Sequence, residues 1–301
     1  MSKIHPVWGQ KRKMGDRFDG TLIKKLDPMH VITPILYPNR CDNEAFFSAK
    51  IDITNLRAYV KKKNMEEELV KYSVFQVIVC AVLKLLTVRP KLNRFVANRL
   101  MYQRKELTAS FVVKKMFSDD GAEALAIINA EPDDTIETIH RKIAEQITSG
   151  RSDKVDKSSE SMDIVSRMPR RLTRLFCEII CFLDKIGHCP KGLIDTDPYY
   201  TSVVLTNLGS IGLPAGYHHL TNWGTTSVFV VIGEIRKVEV KEDDGTTSTH
   251  EVIDFGMTID ERLADGYYYA KSLRLLKYLL QKPELLERPL SEEVVGADKS
   301  K

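Results

Sequence analysis

The 301-residue chain has no apolar run long enough to cross a membrane. Its longest uninterrupted apolar stretch, Val77 to Leu83, is far short of the roughly 20 residues that a spanning helix requires. The first residues are polar and contain no apolar segment of the kind that a signal peptide carries. We therefore expect a cytoplasmic protein that does not bind membranes.

The chain also lacks an excess of charge of one sign. Lys and Arg total 45 against 41 Asp and Glu, which gives a formal net charge of +4. This balance does not predict nucleic-acid binding, because such proteins carry concentrated basic patches. Short basic clusters such as residues 61–63 are scattered and are typical of a solvated surface.

Cysteine is scarce and odd in number, which does not indicate a disulfide framework. The five cysteines are Cys41, Cys80, Cys177, Cys181 and Cys189. Cys177 and Cys181 would share a helix face, so a metal site is one alternative. Zinc knuckles have tighter spacing, and we therefore predict apolar packing and no metal.

Composition predicts an ordinary soluble globular protein, with 43% hydrophobic and 29% charged residues. We expect a polar arm at residues 1–16 and one domain at residues 17–287. A Ser-, Lys- and Asp-rich stretch at residues 149–163 predicts a mobile loop within that domain. Residues 288–301 are predicted to form a disordered tail.

Hydrophobic periodicity predicts strands and helices in alternation. Residues 44–53 alternate like a strand, after which Thr54 is predicted to cap a helix. Ser73 is predicted to cap a second helix at residues 74–87, which is apolar almost all round and therefore buried. Residues 175–183 also indicate a buried helix.

The C-terminal third indicates strands that end in a helix. Residues 202–205 and 227–232 are β-branched runs, and residues 236–240 and 251–255 flank a hairpin turn at Asp243-Asp244-Gly245. A further strand ends in a turn, with the sequence MTIDERLADG at 257–266, and an apolar-striped helix follows.

That turn resembles the His-x-x-x-Asp-Gly signature of chloramphenicol acetyltransferases and of the acyltransferase catalytic domain of 2-oxo acid dehydrogenase complexes. Asp265 and Gly266 occupy the Asp and Gly positions, whereas Glu261 stands where the family has histidine. Four other segments resemble the family in the same order along the chain. They are FSAKIDITNL at 47–56, RPKLNRF at 89–95, LTNLG at 205–209 and VIGEIRKV at 231–238.

The resemblance implies an α/β fold in which a mixed sheet has helices packed on one side. It implies a homotrimer with active sites between subunits and an acyl thioester such as acyl-CoA as a small-molecule ligand. In the family a histidine deprotonates the acceptor, and a Ser or Thr hydroxyl stabilises the oxyanion. Carried over, Thr206 is the oxyanion donor and Asp265 the structural support.

Glu261 weakens the expected chemistry without excluding it. The reference pKa values of Glu and His differ by about 2.2, so as a base Glu261 would lose about 3 kcal/mol of proton-transfer driving force. Burial in an apolar pocket can raise a carboxyl pKa and recover much of that loss. The alternative is that Glu261 forms an ion pair with Arg262 or another surface cation.

His218 and His219 are the best substitute bases, because their loop follows the strand that contains Thr206. The alternative is a pair of exposed or turn-packing histidines. Glycines at 209, 212 and 216 lack a full phosphate-loop pattern and give only a weak signal.

Two functions remain open from the sequence. One is acyl transfer between acyl-CoA and an unknown acceptor, and the other is a non-catalytic trimeric binding or scaffold protein that kept the fold but lost the base. Asp153-Lys154-Val155 is similar to the lysine site of lipoyl domains, but no lipoyl β-domain surrounds it. We therefore expect no lipoyl attachment and a free-standing member of the family.

Overall fold

The computed structural model describes residues 13–67, 70–114, 123–151, 165–242 and 244–296. Most of the predicted polar arm lies outside these residues, as does the end of the predicted tail. Residues 152–163 of the predicted mobile loop, which include Asp153-Lys154-Val155, also lie outside them. Within these ranges, no helix is long and apolar enough to cross a membrane.

The described residues contain nine strands and seven α-helices. The strands are β1 (Gly20–Leu22), β2 (Glu44–Asp52), β3 (Arg94–Ala97), β4 (Leu100–Arg104), β5 (Leu107–Lys114), β6 (Glu123–Ala130), β7 (Val203–Asn207), β8 (Val228–Lys241) and β9 (Thr247–Asp260). The helices are α1 (Pro28–Leu36), α2 (Thr54–Glu66), α3 (Val74–Val88), α4 (Ile136–Arg151), α5 (Arg170–Lys185), α6 (Lys191–Ile194) and α7 (Gly266–Gln281).

Six strands form the main sheet, in the order β2-β9-β8-β7-β5-β6. The β5–β7 and β7–β8 pairs are parallel, and the other neighbours are antiparallel. The sheet is therefore mixed, as the sequence predicts. A second sheet has the order β1-β4-β3, and Asn98 and Arg99 form its β3–β4 turn with positive φ angles of 47° and 63°.

The two faces of the main sheet differ in what covers them. One face, here called the helix face, presents Leu205, Val230 and Phe255 to α2, α3, α4 and α7 in the main core. The opposite face, here called the loop face, presents Val204 and Phe229, which pack against Leu220 of the irregular segment between β7 and β8. Helices thus pack on one side, which confirms the predicted fold class.

Local capping explains how the central helix begins. Ser73 accepts a hydrogen bond from the backbone N–H of Gln76, while the Gln76 side chain accepts one from the Ser73 backbone N–H. This reciprocal pair is a capping box. The predicted cap at Thr54 differs, because Thr54 is already the first helical residue and its hydroxyl accepts from the backbone N–H of Glu251.

Helix α5 corrects the prediction of a buried helix at residues 175–183. Leu175, Ile179 and Phe182 are 54%, 49% and 61% exposed, whereas Ile180 on the opposite side is buried. Periodicity does identify the apolar stripe of a helix. It does not say which surface covers that stripe, and in the single chain only the Ile180 side meets the protein.

The chain beyond α7 remains on the domain for several residues. Leu290 is fully buried, and its backbone N–H donates to the carbonyl of Asp134. The Lys84 ammonium donates to the carbonyl of Pro289 at 2.7 Å. Residues 288–290, which the sequence assigns to the disordered tail, therefore pack against α3 and the start of α4.

Candidate active site

The turn that contains Glu261 is fixed at both ends. Residues Glu261–Leu263 form one 3-10 turn directly after β9, and Asp260 accepts a hydrogen bond from the backbone N–H of Arg262. At the other end, Asp265 accepts from the backbone N–H of Tyr268 at 2.8 Å and so caps α7. Asp265 is exposed, and its carboxylate serves here as a helix cap.

A buried bidentate ion pair lies beneath this turn. The Arg262 guanidinium donates through Nε and Nη2 to the two carboxylate oxygens of Asp260, at 2.8 and 2.6 Å. Its Nη1 donates to the carbonyls of Tyr37 and Pro38, at 2.9 and 3.1 Å. With these partners Arg262 is not the cation that pairs with Glu261, so that part of the alternative from the sequence is wrong.

Arg40 joins the same cluster from the N-terminal part of the chain. Its Nε lies 3.9 Å from a carboxylate oxygen of Asp260, and its Nη1 donates to the carbonyl of Thr221 at 2.6 Å. Burial lowers the pKa of Arg40, and the charge of Asp260 opposes that shift. No sequence pattern singles out Arg40, whereas the Asp-x-Arg spacing at 260–262 is a usable signal for Asp260.

Tyr269 supports the turn from the helix side. Its hydroxyl donates to the carbonyl of Asp260 at 2.9 Å and accepts from the backbone N–H of Ala264 at 3.2 Å. Burial raises the pKa of Tyr269, so the phenol remains a donor. The backbone on both sides of Glu261 is therefore held, while the Glu261 carboxylate itself is exposed.

Thr206 lies on the loop face of the sheet and is far from Glu261 in the same chain. In the strand register Thr206 is opposite Val231, and Val231 is opposite Gly256. Gly256 lies on β9, and Glu261 directly follows that strand, five residues later, which corresponds to about 16 Å. One subunit therefore does not bring Thr206 and Glu261 together.

Glycines let the segment after β7 lie directly on the loop face. A Cβ atom on Gly256 would overlap the carbonyl oxygen of Gly216, and one on Gly233 would overlap the backbone nitrogen of Ala215. The backbone therefore touches the sheet where a side chain would otherwise stand. This segment also receives an aromatic contact, because the rings of Phe46 and Tyr217 are 5.4 Å apart.

The sheet contact places His218 over the loop face. Its ring stacks on Phe229 with centroids 4.1 Å apart and an interplanar angle of 6°. The Nδ1 atom of His218 is 2.8 Å from the carbonyl oxygen of His219. His218 is half-buried, whereas His219 is exposed and stacks on the outer side of His218, with centroids 4.6 Å apart.

A cleft of about 320 Å³ opens beside the buried ion pair. Its lining includes Pro38, Arg40, Cys181, Lys185, Trp223 and Arg262. The cleft therefore lies between the segment that follows α1 and the C-terminal end of α5. Among the described residues, no group of three or more His, Cys, Asp or Glu side chains could hold a metal ion, and Cys177 and Cys181 are exposed free thiols.

Comparison with known proteins finds a sequence match for the C-terminal part of the chain and a structural likeness for the fold as a whole. Residues 197–287 match the model for the catalytic domain of 2-oxoacid dehydrogenases acyltransferase. No curated protein sequence matches the chain.

Solved structures extend the similarity beyond the matched segment. A probable dihydrolipoamide acetyltransferase from Listeria monocytogenes is 16% identical, with a TM-score of 0.56 over 92% of this chain and 99% of that chain. The dihydrolipoamide acetyltransferase of Azotobacter vinelandii is also 16% identical, with a TM-score of 0.56 over 88% of this chain and 93% of that chain. A chloramphenicol acetyltransferase is 11% identical, with a TM-score of 0.53 over 87% of this chain and 98% of that chain.

At these identities the structural likeness is one of fold, and the segment at 197–287 adds a match in sequence. That segment includes Thr206, His218 and the turn with Glu261. The resemblance to the chloramphenicol acetyltransferase and 2-oxo acid dehydrogenase acyltransferase family is thereby confirmed.

Proposed function

We propose that the protein transfers an acyl group from an acyl thioester, such as acyl-CoA, to a small nucleophilic acceptor. The observation that carries this proposal is the acyltransferase match over residues 197–287, which includes Thr206, His218, His219, Glu261 and Asp265. The whole-chain likeness to acetyltransferase folds supports it.

The reaction requires two functions from the protein. A base removes the proton of the acceptor, whose S, O or N atom then bonds to the thioester carbonyl carbon. The carbonyl oxygen becomes an oxyanion, to which the Thr206 hydroxyl would donate a hydrogen bond. The carbon–sulfur bond then breaks, and the CoA thiolate leaves and takes up a proton. In the A. vinelandii relative a serine was examined for a catalytic role, and threonine supplies the same donor group.

A homotrimer with sites between subunits is part of the proposal. The separation of about 16 Å along β9 means that Glu261 could approach a Thr206 hydroxyl only across an interface. Exposed apolar side chains also lie on α1 and α5. On α1 they include Ile32 and Ile35, at 49% and 54% exposure, and on α5 they include Ile179. Such surfaces are typical of protein interfaces.

Calorimetric titration with acetyl-CoA tests the donor, and release of CoA to a thiol acceptor tests the chemistry. We expect micromolar binding near one site per chain, and a fall in turnover of about 100-fold for Thr206→Ala. Thr206→Ser is the matched control, because it keeps the hydroxyl. Absence of binding at millimolar acetyl-CoA would reject the proposal.

A second candidate function is a non-catalytic trimeric binding or scaffold protein. The exposed glutamate at the histidine position favours it. This alternative predicts ligand binding without turnover, and no difference between Thr206→Ala and Thr206→Ser in any assay of CoA release.

A further inference from the structure

We infer that His218, and not Glu261, is the general base of the acyl transfer. This inference rests on the proposed function and assigns a catalytic residue outside the family's histidine position. Four features of the described structure support it: the place of His218 on the sheet, the proton position of its ring, the rigidity of its support and the contrast with Glu261.

The strand register places His218 on the same face as Thr206, one strand across and two residues along. Thr206 is opposite Val231, whereas His218 stacks on Phe229, two residues earlier on the same strand. Two residues along a strand span about 7 Å, and alternate residues share a face. A thioester carbonyl at Thr206 and an acceptor at His218 would therefore lie side by side.

The hydrogen bond at Nδ1 determines which ring nitrogen is basic. The carbonyl oxygen of His219 can only accept, so Nδ1 of His218 carries the donated proton. In the neutral ring the lone pair then resides on Nε2. A backbone carbonyl thus fixes the tautomer and leaves Nε2 to take a proton from an acceptor.

The support of His218 is rigid on both sides. Before it, Gly216 rests on Gly256 with no room for a side chain between them. After it, the backbone N–H of Leu220 donates to the carboxylate of Glu44, and Leu220 is buried. The ring is also stacked between Phe229 and His219. A base held in this way needs little reorganisation before proton transfer.

Glu261 has a different environment. Its carboxylate is exposed, and the nearby charges of Arg262 and Arg40 are directed to Asp260 and to backbone carbonyls. We therefore assign the proton transfer to His218. Nε2 takes the proton of the acceptor, and the acceptor bonds to the thioester carbon to give the oxyanion. The oxyanion collapses, the carbon–sulfur bond breaks, and the imidazolium returns the proton to the leaving CoA sulfur.

Selective ¹⁵N-histidine labelling tests the inference in the unmodified protein, with His218→Gln used to assign the signals. We expect the neutral His218 ring to be protonated at Nδ1, and its Nε2 signal to shift on addition of acetyl-CoA. His188 is the matched control, because its Nδ1 lies 2.8 Å from the carbonyl of Ile186 in an exposed turn. Its signals should not shift. A His218 ring protonated at Nε2 would overturn the inference.

Turnover measurements separate this inference from the proposed function. We expect His218→Gln to lower CoA release by about 100-fold while acetyl-CoA binding stays within about threefold of wild type. His188→Gln should keep the wild-type rate. If the wild type turns over and His218→Gln does so equally, the base is wrong while acyl transfer stands. If acetyl-CoA does not bind at all, acyl transfer itself is rejected, and the inference with it.

Discussion

Asp260 and Arg262 form a bidentate ion pair in which both side chains are almost fully buried, with exposures of 0% and 3%. The two residues flank Glu261 in the sequence, yet both point inward while Glu261 points to solvent. The side chains therefore continue to alternate between the interior and the solvent from β9 into the turn. The pair ties the candidate catalytic turn to the segment before β2 through the carbonyls of Tyr37 and Pro38.

Loss of one partner of this pair should strongly destabilise the fold. Asp260→Asn leaves the Arg262 charge buried without a carboxylate, which costs about 3–5 kcal/mol in comparable pairs. Urea denaturation measures the change in free energy of unfolding. Arg174→Gln is the control, because it removes an exposed ion pair with Glu178 and should leave the free energy of unfolding almost unchanged. A cost below about 1 kcal/mol for Asp260→Asn would show that the pair is not important for stability.

The contact between Gly256 and Gly216 gives a second test. Gly256→Ala forces the loop segment off the sheet, and overpacking of this kind costs about 1–3 kcal/mol. Gly266→Ala is the control, because a Cβ at that helical position meets open space. Thermal unfolding should show a clear fall in Tm for Gly256→Ala and none for Gly266→Ala. Equal Tm values would mean that the segment is not seated on the sheet.

His250 predicts a pH-dependent contribution to stability. Hydrogen bonds to Asp52 and Glu242 raise the pKa of His250 above its ordinary value of about 6.5, and Ser248 also contacts its ring. Because the pKa of His250 is higher in the folded state, the protonated His250 ring stabilises that state. This stabilisation is fully present below the unfolded-state pKa and is lost as pH rises through the folded-state pKa.

The stability difference between wild type and His250→Gln should therefore shrink between about pH 6 and about pH 9. Urea denaturation at the two pH values provides the measurement. A difference that grows toward alkaline pH would contradict the assignment of His250 as the protonated partner of these carboxylates.

The exposed stripe of α5 gives a test of the proposed assembly. Ile179→Glu places a charge on that stripe, and sedimentation equilibrium should then show a smaller trimer fraction than in the wild type. Arg174→Gln on the same helix is the control, because it changes an exposed polar side chain and should leave the trimer intact. A wild-type protein that sediments as a monomer would reject the proposed trimer directly.

Local signals in the sequence predict much of this fold for identifiable reasons. The Ser73–Gln76 capping box lies within four residues, so α3 can be located without knowledge of the tertiary structure. Strands β8 and β9 follow from β-branched runs around Gly245, whose φ of 82° suits the turn. That residue 261 is a glutamate, where the His-x-x-x-Asp-Gly signature has histidine, can likewise be read from the sequence alone.

Long-range partners explain what the sequence does not predict. Arg40 meets Asp260 across 220 residues, and no local pattern marks a single arginine as the one that becomes buried there. The exposure of α5 has the same origin, because periodicity defines an apolar stripe without identifying its partner. The rigid placement of His218 depends on Gly256, which contributes only the absence of a side chain.

The pairing of β2 with β9 has a consequence for how the polypeptide could be divided. Residues 197–287, although recognisable by sequence, contain β9 without β2 and α7 without α3. As an excised fragment they would present an unpaired strand edge and the bare leucines of α7, a combination that favours aggregation. The recognisable segment is thus a stretch of inherited sequence and not a unit of folding, and a stable truncation must retain the strand that begins at Glu44.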